Sequence, residues 1–572
     1  MKTFDMKKIY LLITFIGCMM LSSCSLDEKV YTSVEMGTYM ADAKEAESVL
    51  LGIYREMNGD GIYGLNLSML FQMPTDESKV EGNGITGARQ QASNAYTTTD
   101  SYVQNTWGSL YAAIYCANSF LEGIEQHKDS YSDADKAKAE IYIAEAKALR
   151  AMFYFELVRW YGHISLMKST EQSALHPSLL TQEDPKVVYE FIEQDLLDAI
   201  EVLPYASDDT VRGSNDFRIS KGGALGLLTK VYATWAGYPV QDTSKWQLAK
   251  STAETLINSG KHSLLPNYVD LWTNCANNVW DPRESLLEIS YYSPQSTNAS
   301  SGRIGKWNGV AAAQGSIKGN YNFALYKVNP TFLLKWKNHK MDLRWGLSFA
   351  DYKYTTDTGK TTLATAKVNG VQTYITFEMA MDENYENWDM GWRKTYCYTL
   401  TPKKWDIELY VKDENQLSDN NYSNVNWYLL RYADVLLLYA EALNEVNQGP
   451  TAEAVEALNM VRRRGFGFDY SSSSFNADLP AGQTYESFRQ AIMDERSYEL
   501  AFEGHRRQDL VRWGIYYEKV QETYHEYMDW HEMGPDYFIG AEYTFKNKNE
   551  LLPIPQREMD LCPQYKQNDG WK

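Results

Sequence analysis

The sequence contains few cysteines and fewer basic than acidic residues, and both shortages exclude classes of protein. Its 75 Asp and Glu residues outnumber 55 Lys and Arg, so the formal net charge is -20. Nucleic-acid binding depends on clustered Lys and Arg, and no extended basic patch appears along the chain. Four of the cysteines, Cys116, Cys275, Cys397 and Cys562, lie far apart without metal-type spacing, which predicts buried thiols.

Motifs of common catalytic and cofactor sites are also missing. No Walker A, GxSxG or HExxH element occurs. Gly82, Gly84 and Gly87 satisfy the GxGxxG spacing, but no apolar strand precedes them and no amphipathic helix follows directly, which favours a loop over a dinucleotide site. We therefore predict no catalytic residue, no metal and no cofactor. Because 75 acidic side chains always offer pairs, glycosidase carboxylates stay an open alternative.

The N-terminal apolar stretch is too short to span a bilayer, which needs about 20 apolar residues. A cationic start followed by apolar residues 9–21 is typical of a secretory signal peptide, predicted here over residues 1–23. Its Leu-Ser-Ser-Cys ending resembles the bacterial lipobox, in which the cysteine, here Cys24, is lipidated. Asp27 and Glu28 resemble the signal that sends some Gram-negative lipoproteins to the cell surface. We therefore predict a lipid-anchored protein on the extracellular side of the outer membrane.

Plain Phe is scarce relative to aromatic rings that carry a polar group, with 19 Phe against 43 Tyr and 16 Trp. Such rings suit positions where an apolar face and a wet edge are both used, as at interfaces and ligand-binding surfaces. Helical repeats also use Tyr as a large core residue, and we expect most of these rings to be packed inside.

Residues 24–262 show successive amphipathic helical patterns. Residues 135–161 carry two apolar stripes, one through Ala148 and Phe155 and one through Leu149 and Phe153. Burial on two sides is typical of a helix within stacked helical hairpins. Further helices are predicted from Trp107 onward and over residues 187–203, 221–238 and 245–258. These patterns predict a mostly α fold on a tetratricopeptide-like helical repeat scaffold, an α/α superhelix.

The helical periodicity fails over residues 263–426, where Gly, Asn, Ser and Trp accumulate. We predict an excursion of loops and short strands, and so long an irregular segment is usually functional. Helices resume over residues 427–447, 452–464 and 485–502, while two prolines exclude a helix at residues 552–555. We expect residues 24–262, 263–426 and 427–572 to form one structural domain.

A block of charged residues near the end of the last predicted helix looks catalytic at first sight. It comprises Glu495, Arg496, Glu499, Glu503, His505, Arg506, Arg507, Asp509 and Arg512. Arginines can pair bidentately with acids across a helix junction, so we interpret the block as structural. A carboxylate and histidine metal site is the alternative, but the spacing of a metal motif is missing.

Several stretches resemble the SusD/RagB lipoproteins, in the order that family has them. The family's C-terminal blocks resemble WYLLRYADVLLLYAEALNE (427–445), AVEALNMVRRRG (454–465), ERSYELAFEGHRRQDLVRWG (495–514) and LLPIPQRE (551–558). Its N-terminal helices resemble WGSLYAAIYCANSFLEGI and AEAKALRAMFYFELVRWYG, and its Asp-x-Arg turn resembles residues 341–344. The tail departs from the family, because LCPQYKQNDGW replaces the usual Asn-Pro and Gln-Asn-Pro-Gly-Tyr ending.

The resemblance implies a SusD-like fold of four tetratricopeptide-like units with an irregular face built from inserted loops. It also implies a surface-exposed glycan-binding lipoprotein above a SusC-like TonB-dependent transporter, which captures an oligosaccharide or polysaccharide and acts as the lid of the channel. Three alternatives stay open: binding of peptides or another nutrient, a surface-anchored glycoside hydrolase, and a scaffold without a small ligand.

Sugar binding calls for aromatic rings among planar polar side chains on loops, because a pyranose has a face of C–H groups and a rim of hydroxyls. Two loop regions, which in the resembling family supply the ligand face, offer such residues. We predict ligand binding by Asp76, Arg89, Asn94 and Tyr96 in the first region and by Tyr291, Tyr292, Trp307 and Tyr321 in the second.

Overall fold

The computed structural model describes residues 39–572 apart from segments 210–215, 293–301, 316–320, 338–339, 356–358, 369–370, 382–394, 397–398, 413–420 and 530–537. The predicted signal peptide and Cys24 lie outside the described residues. Within these residues, no helix combines the length and the apolar character needed to cross a membrane.

Helices make up most of the scaffold. In chain order they are α1 (Ala43–Glu56), α2 (Ala88–Ala92), α3 (Ser101–His127), α4 (Asp133–Tyr161), α5 (Thr170–Ser173), α6 (Pro185–Val202), α7 (Lys221–Ala236), α8 (Lys245–Asn258), α9 (Tyr268–Ala276), α10 (Pro330–Lys335), α11 (Leu343–Ser348), α12 (Phe377–Met381), α13 (Ile407–Tyr410), α14 (Tyr432–Asn447), α15 (Ala452–Gly465), α16 (Tyr485–Glu499), α17 (Arg506–Arg512), α18 (Tyr516–Asp529) and α19 (Gln556–Leu561). The predicted mostly α fold is confirmed.

The strands form small two-stranded antiparallel sheets. They are β1 (Ser78–Val80), β2 (Ser285–Ile289), β3 (Tyr326–Val328), β4 (Phe349–Ala350), β5 (Tyr352–Thr355), β6 (Gly359–Thr362), β7 (Ala364–Val368), β8 (Val371–Ile375), β9 (Thr401–Pro402) and β10 (Trp427–Arg431). The pairs are β1 with β3, β2 with β10, β4 with β9, β5 with β6 and β7 with β8. Strands β2 to β9 thus lie in the segment predicted as an irregular excursion.

Helix α4 shows why the helices stack. The Ser132 side chain caps its first turn by accepting a hydrogen bond from the Asp135 N–H at 3.2 Å, and Gly162 follows its last turn with φ at +71°. Its C-terminal half is buried on all sides, because α4 packs against both α3 and α6. The two apolar stripes in the sequence therefore correspond to two helical neighbours.

The predicted helix over residues 427–447 is wrong in its first five residues. Strand β10 occupies them and pairs with β2, with Trp427 opposite Ile289 and Arg431 opposite Ser285. Helix α14 starts only at Tyr432. Pairing with a strand distant in the chain outweighs the local helical pattern here.

The charged block lies inside the protein. The guanidinium groups of Arg344, Arg431 and Arg464 donate to the Glu499 carboxylate at 2.6 to 3.0 Å, and all four side chains are buried. Against the effect of burial, these arginines hold the pKa of Glu499 well below its usual range. Because these residues belong to α11, β10, α15 and α16, the cluster ties four separate elements together.

The thiol prediction is confirmed for Cys275 and Cys562, which are buried and free, while the free Cys116 is half-buried. Cys397 lies outside the described residues.

Candidate functional site

Backbone pairing brings two distant loop segments of the excursion together. The Ala324 N–H donates to the Lys306 carbonyl, and the Tyr326 N–H donates to the Trp307 carbonyl, both at 3.0 Å. Strand β3 starts at Tyr326 and pairs with β1, so the loop that follows β1 lies beside the same segment. Residues from three parts of the chain therefore meet at one surface.

Three aromatic side chains at this surface form what we call the aromatic platform: Trp307, Tyr321 and Phe323. The ring centroids of Trp307 and Phe323 are 5.6 Å apart, and the Tyr321 ring stands edge-on to Phe323 at 6.1 Å. Tyr321 is 37% exposed and Phe323 is 36% exposed, whereas Trp307 is half-buried. The flat apolar face of a ligand can stack on such a ring surface.

Arg89 lies at one edge of the platform. Its guanidinium carbon is 5.9 Å from the Phe323 centroid, and its Nε and Nη2 donate to the backbone carbonyl and the carboxylate of Glu81. The Glu81 carboxylate also lies 3.7 Å from Lys327 Nζ. Burial lowers the pKa of Lys327 to about 8 despite this carboxylate. Two basic side chains therefore share one partly exposed acid.

Arg303 lies beside another ring of the platform, Trp307. Its guanidinium carbon is 5.1 Å from the Trp307 centroid and 4.6 Å from the Tyr422 centroid. The Nε and Nη2 groups donate to both carboxylate oxygens of Asp60 at 3.0 and 2.7 Å, which fixes the plane of the guanidinium. Against the effect of burial, Asp60 raises the pKa of Arg303 above its ordinary value.

The arrangement can present both stacking surface and hydrogen-bond donors. The Nη1 groups of Arg89 and Arg303 make no hydrogen bond to any described residue, while the other guanidinium nitrogens are held by Glu81 and Asp60. Donors fixed in direction beside a ring suit the hydroxyl rim of a ligand that stacks on that ring.

The structure thus brings together three of the eight predicted residues: Arg89, Trp307 and Tyr321. Asp76 instead receives a bidentate pair from Arg506 at 2.8 and 2.6 Å. Against the effect of burial, Arg506 holds the pKa of Asp76 below its ordinary value. The Asp76 carboxylate is therefore already bound within the protein.

Asn94 and Tyr96 are buried at the contact between the N-terminal loop region and α17. The Asn94 side chain accepts from Arg507 Nη1 at 2.9 Å and donates to the Tyr516 hydroxyl at 2.8 Å. The Tyr96 ring stacks on Trp571 with centroids 5.4 Å apart, and its hydroxyl accepts from Arg507 Nη2 at 3.2 Å. Both side chains contribute to packing, and neither belongs to the platform.

The two neighbouring tyrosines of the excursion differ in exposure. Tyr291 is fully buried, and its hydroxyl donates to the Tyr63 carbonyl at 2.6 Å. Tyr292 is 45% exposed and lies just before segment 293–301. A ligand contact by Tyr292 stays a prediction.

Sequence reasoning missed Phe323, Arg303 and Tyr422. Tyr321 and Phe323 flank a single residue, so a strand-like alternation could have placed both rings on one face. Nothing local indicates Arg303 or Tyr422, because they meet only through the folded chain, where the Arg303 Nη2 donates to the Tyr422 hydroxyl at 3.1 Å.

Comparisons with known families match most of the chain. A family model described as the SusD family matches residues 326–571, and one described as starch-binding associating with outer membrane matches residues 26–233. A SusD-like protein of Formosa agariphila is 26% identical over 559 residues, which cover 95% of each chain.

Solved structures show the same similarity. A SusD homolog from Bacteroides thetaiotaomicron is 52% identical with a TM-score of 0.88, covering 94% of this chain and 99% of that one. A laminarin-binding SusD-like protein has 24% identity and a TM-score of 0.65, and surface glycan-binding protein A from Bacteroides fluxus has 20% and 0.64. Each of these two alignments covers 92% of this chain and 99% of the other. At such identities, the last two show a shared fold.

Proposed function

Because the chain belongs to the SusD/RagB family, we propose that it is a non-enzymatic glycan-binding lipoprotein of the outer membrane. It captures an oligosaccharide or polysaccharide at the aromatic platform and passes it to a SusC-like TonB-dependent transporter. The names of the relatives support a binding role, since they describe starch-binding, laminarin-binding and glycan-binding proteins.

The observation that carries the proposal is the exposed pair Tyr321 and Phe323 beside Trp307. Leaving large rings in water is unfavourable unless a partner covers them, and a contiguous exposed apolar patch marks an interaction site. The C–H face of a sugar ring carries slight positive charge, which the negative face of an aromatic ring attracts. A saccharide chain can therefore stack along the platform.

The guanidinium groups at the edges of the platform supply orientation. Asp60 and Glu81 fix Arg303 and Arg89 before any ligand arrives, so little side-chain entropy remains to be lost on binding. Their Nη1 donors, which make no hydrogen bond to a described residue, suit sugar hydroxyls and ring oxygens, which accept hydrogen bonds. Fixed donors beside two different rings favour an extended chain of sugars over a single unit.

Attachment to the membrane is the further part of the proposal. The lipid on Cys24 would hold the protein at the outer leaflet, where the ligand arrives and where the transporter opens. The family description that associates starch binding with the outer membrane supports this location.

Affinity electrophoresis and calorimetry with a panel of glycans test the platform. Replacing Phe323→Ala removes an exposed ring between Trp307 and Tyr321, and we expect binding of the retained glycan to weaken at least about fivefold, or about 1 kcal/mol. Because Phe323 is exposed, the melting temperature should change little.

Phe475→Ala is the matched control, since Phe475 is fully exposed on another loop. Glycan binding should be unchanged in this variant. Equal binding by wild type and Phe323→Ala would exclude the platform as the site. Binding of peptides instead of glycans, or release of sugars from the polysaccharide, would replace the proposal by one of the alternatives from the sequence.

A further inference from the structure

A second cavity lies away from the platform. It has a volume of about 820 Å³ and is bounded by His163 after α4, by Tyr238 and Pro239 after α7, and by the C-terminal segment 547–572. Ligand pockets commonly have volumes of about 300–1,000 Å³. None of the residues that line this cleft belongs to the platform.

The walls of the cleft are held by side-chain amides. Gln182 Nε2 donates to the carbonyls of His163 and Lys566, and its Oε1 accepts from the Lys566 N–H at 2.6 Å. Asn568 Nδ2 donates to the Tyr161 carbonyl at 2.9 Å. The amides thus tie the tail to the end of α4, so the cleft has a defined shape without a ligand.

Other polar groups of the cleft have no hydrogen-bond partner among the described residues. Glu550 is 9% exposed; its Oε1 accepts from the Asn547 N–H at 3.2 Å, but its Oε2 is buried and has no partner among the described residues. The Tyr238 hydroxyl and Lys566 Nζ also make no hydrogen bond within the described parts of the chain. A buried carboxylate oxygen without a donor is unfavourable, so it points to a ligand that donates to it.

Glu550 and Tyr238 face the same space. Burial raises the pKa of the Tyr238 hydroxyl, and the Glu550 carboxylate adds to this effect. The Tyr238 ring and Pro239 supply an apolar wall next to these polar groups.

The mixture of groups decides the class of ligand. The Glu550 carboxylate would repel an anion, and the Lys566 ammonium group would repel a cation. Lys572 is already paired with Asp569 at 2.5 Å. A hydroxyl both donates and accepts, so a polyol can bind Glu550, Tyr238 and Lys566 together. We propose that this cleft is a second carbohydrate site, which takes one neutral sugar unit. The choice of a sugar among polyols rests on the proposed function. The observation that polar groups of the cleft have no partner among the described residues is independent of it.

Saturation-transfer NMR on the full chain tests the cleft. The probes are the methyl glycosides of glucose, galactose, mannose and xylose, and the background is Phe323→Ala, which weakens binding at the platform. Tyr238→Phe removes the hydroxyl, and Glu550→Gln replaces the charged acceptor by a neutral amide; both substitutions keep the side-chain shape. We expect at least one glycoside to bind in the background, and each substitution to weaken that binding at least fivefold.

Glu542→Gln is the matched control, because Glu542 is exposed outside the cleft. It should leave the binding unchanged, and melting temperatures should show that all variants fold. No binding in the Phe323→Ala background, or equal binding with and without Glu550→Gln, would overturn the cleft site. If Phe323→Ala loses the glycan binding that the wild type shows, the platform is still supported. If only Glu550→Gln loses glycan binding, the cleft is supported and the platform is excluded.

Discussion

Neighbouring residues in this sequence can differ strongly in exposure. Tyr291 is buried with its hydroxyl bonded to a backbone carbonyl, while Tyr292 beside it is 45% exposed. In the sequence the two residues look alike, because each is an amphipathic ring in the same loop region. Whether a ring is available to a ligand depends on what packs against it, and that is a property of residues far away in the chain.

Glu288 on β2 illustrates the effect of burial on a single carboxyl group. Burial raises its pKa to about 7, although Ser285 and Asn426 donate to it at 2.7 and 2.8 Å. The native state therefore keeps a proton that the unfolded chain loses near pH 4.5. A raised folded pKa gives stability that is complete below the unfolded pKa and is lost as the pH rises through about 7.

Glu288→Gln should remove this pH dependence, since the amide resembles the protonated acid and cannot ionise. Urea unfolding between about pH 5 and pH 8 should show the wild type losing about 2 kcal/mol relative to the variant. The exposed Glu542→Gln should track the wild type. Parallel curves for wild type and Glu288→Gln would show that the native carboxyl has an ordinary pKa.

Elements are joined in this protein by buried ion pairs as well as by apolar packing. Helix α16 ends at Glu499, whose carboxylate binds arginines from α11, β10 and α15. Removing one partner of a buried ion pair leaves uncompensated charge, which costs more than the pair itself contributes.

Glu499→Ala should therefore lower the free energy of unfolding by about 3–5 kcal/mol, because three buried guanidinium groups lose an acceptor. Equilibrium urea unfolding measures this change. Glu486→Ala, in the exposed first turn of the same helix, should change stability by less than about 1 kcal/mol. Similar losses for both variants would mean that the cluster is not essential to the fold.

Helices were the elements best predicted from the sequence. Helix α8 has the predicted bounds, and α4 starts two residues earlier than predicted. The apolar periodicity of a helix is local, because each backbone hydrogen bond spans four residues. Strand β10 was missed, since its pairing with β2 joins residues more than a hundred positions apart and leaves no local signal.

The whole molecule combines a helical scaffold with loops and short strands, which carry the proposed aromatic platform. Its net charge of -20 and the lack of an extended basic patch in the sequence fit a partner that is not a polyanion. A signal peptide with a lipobox would place the scaffold on the outer face of the membrane. The attachment would then depend on Cys24 alone.

Cys24→Ser tests the anchor, because serine keeps the size of the side chain and lacks the thiol that accepts the lipid. We expect labelled palmitate to be absent from the variant and the protein to leave the membrane fraction. Cys18→Ser, within the predicted signal peptide, is the control and should keep both label and location. Label retained in Cys24→Ser would disprove this anchoring residue.

The sequence by itself determined the helical scaffold and the family, since these depend on local periodicity and motif order. Only the tertiary structure decided which of the candidate loop residues are exposed. Tyr96 is covered by Trp571, and Asn94 is bound by Arg507, whereas Phe323 stays open beside Trp307. The physical reason is that the exposure of a side chain is set by neighbours hundreds of residues away, which no local pattern encodes.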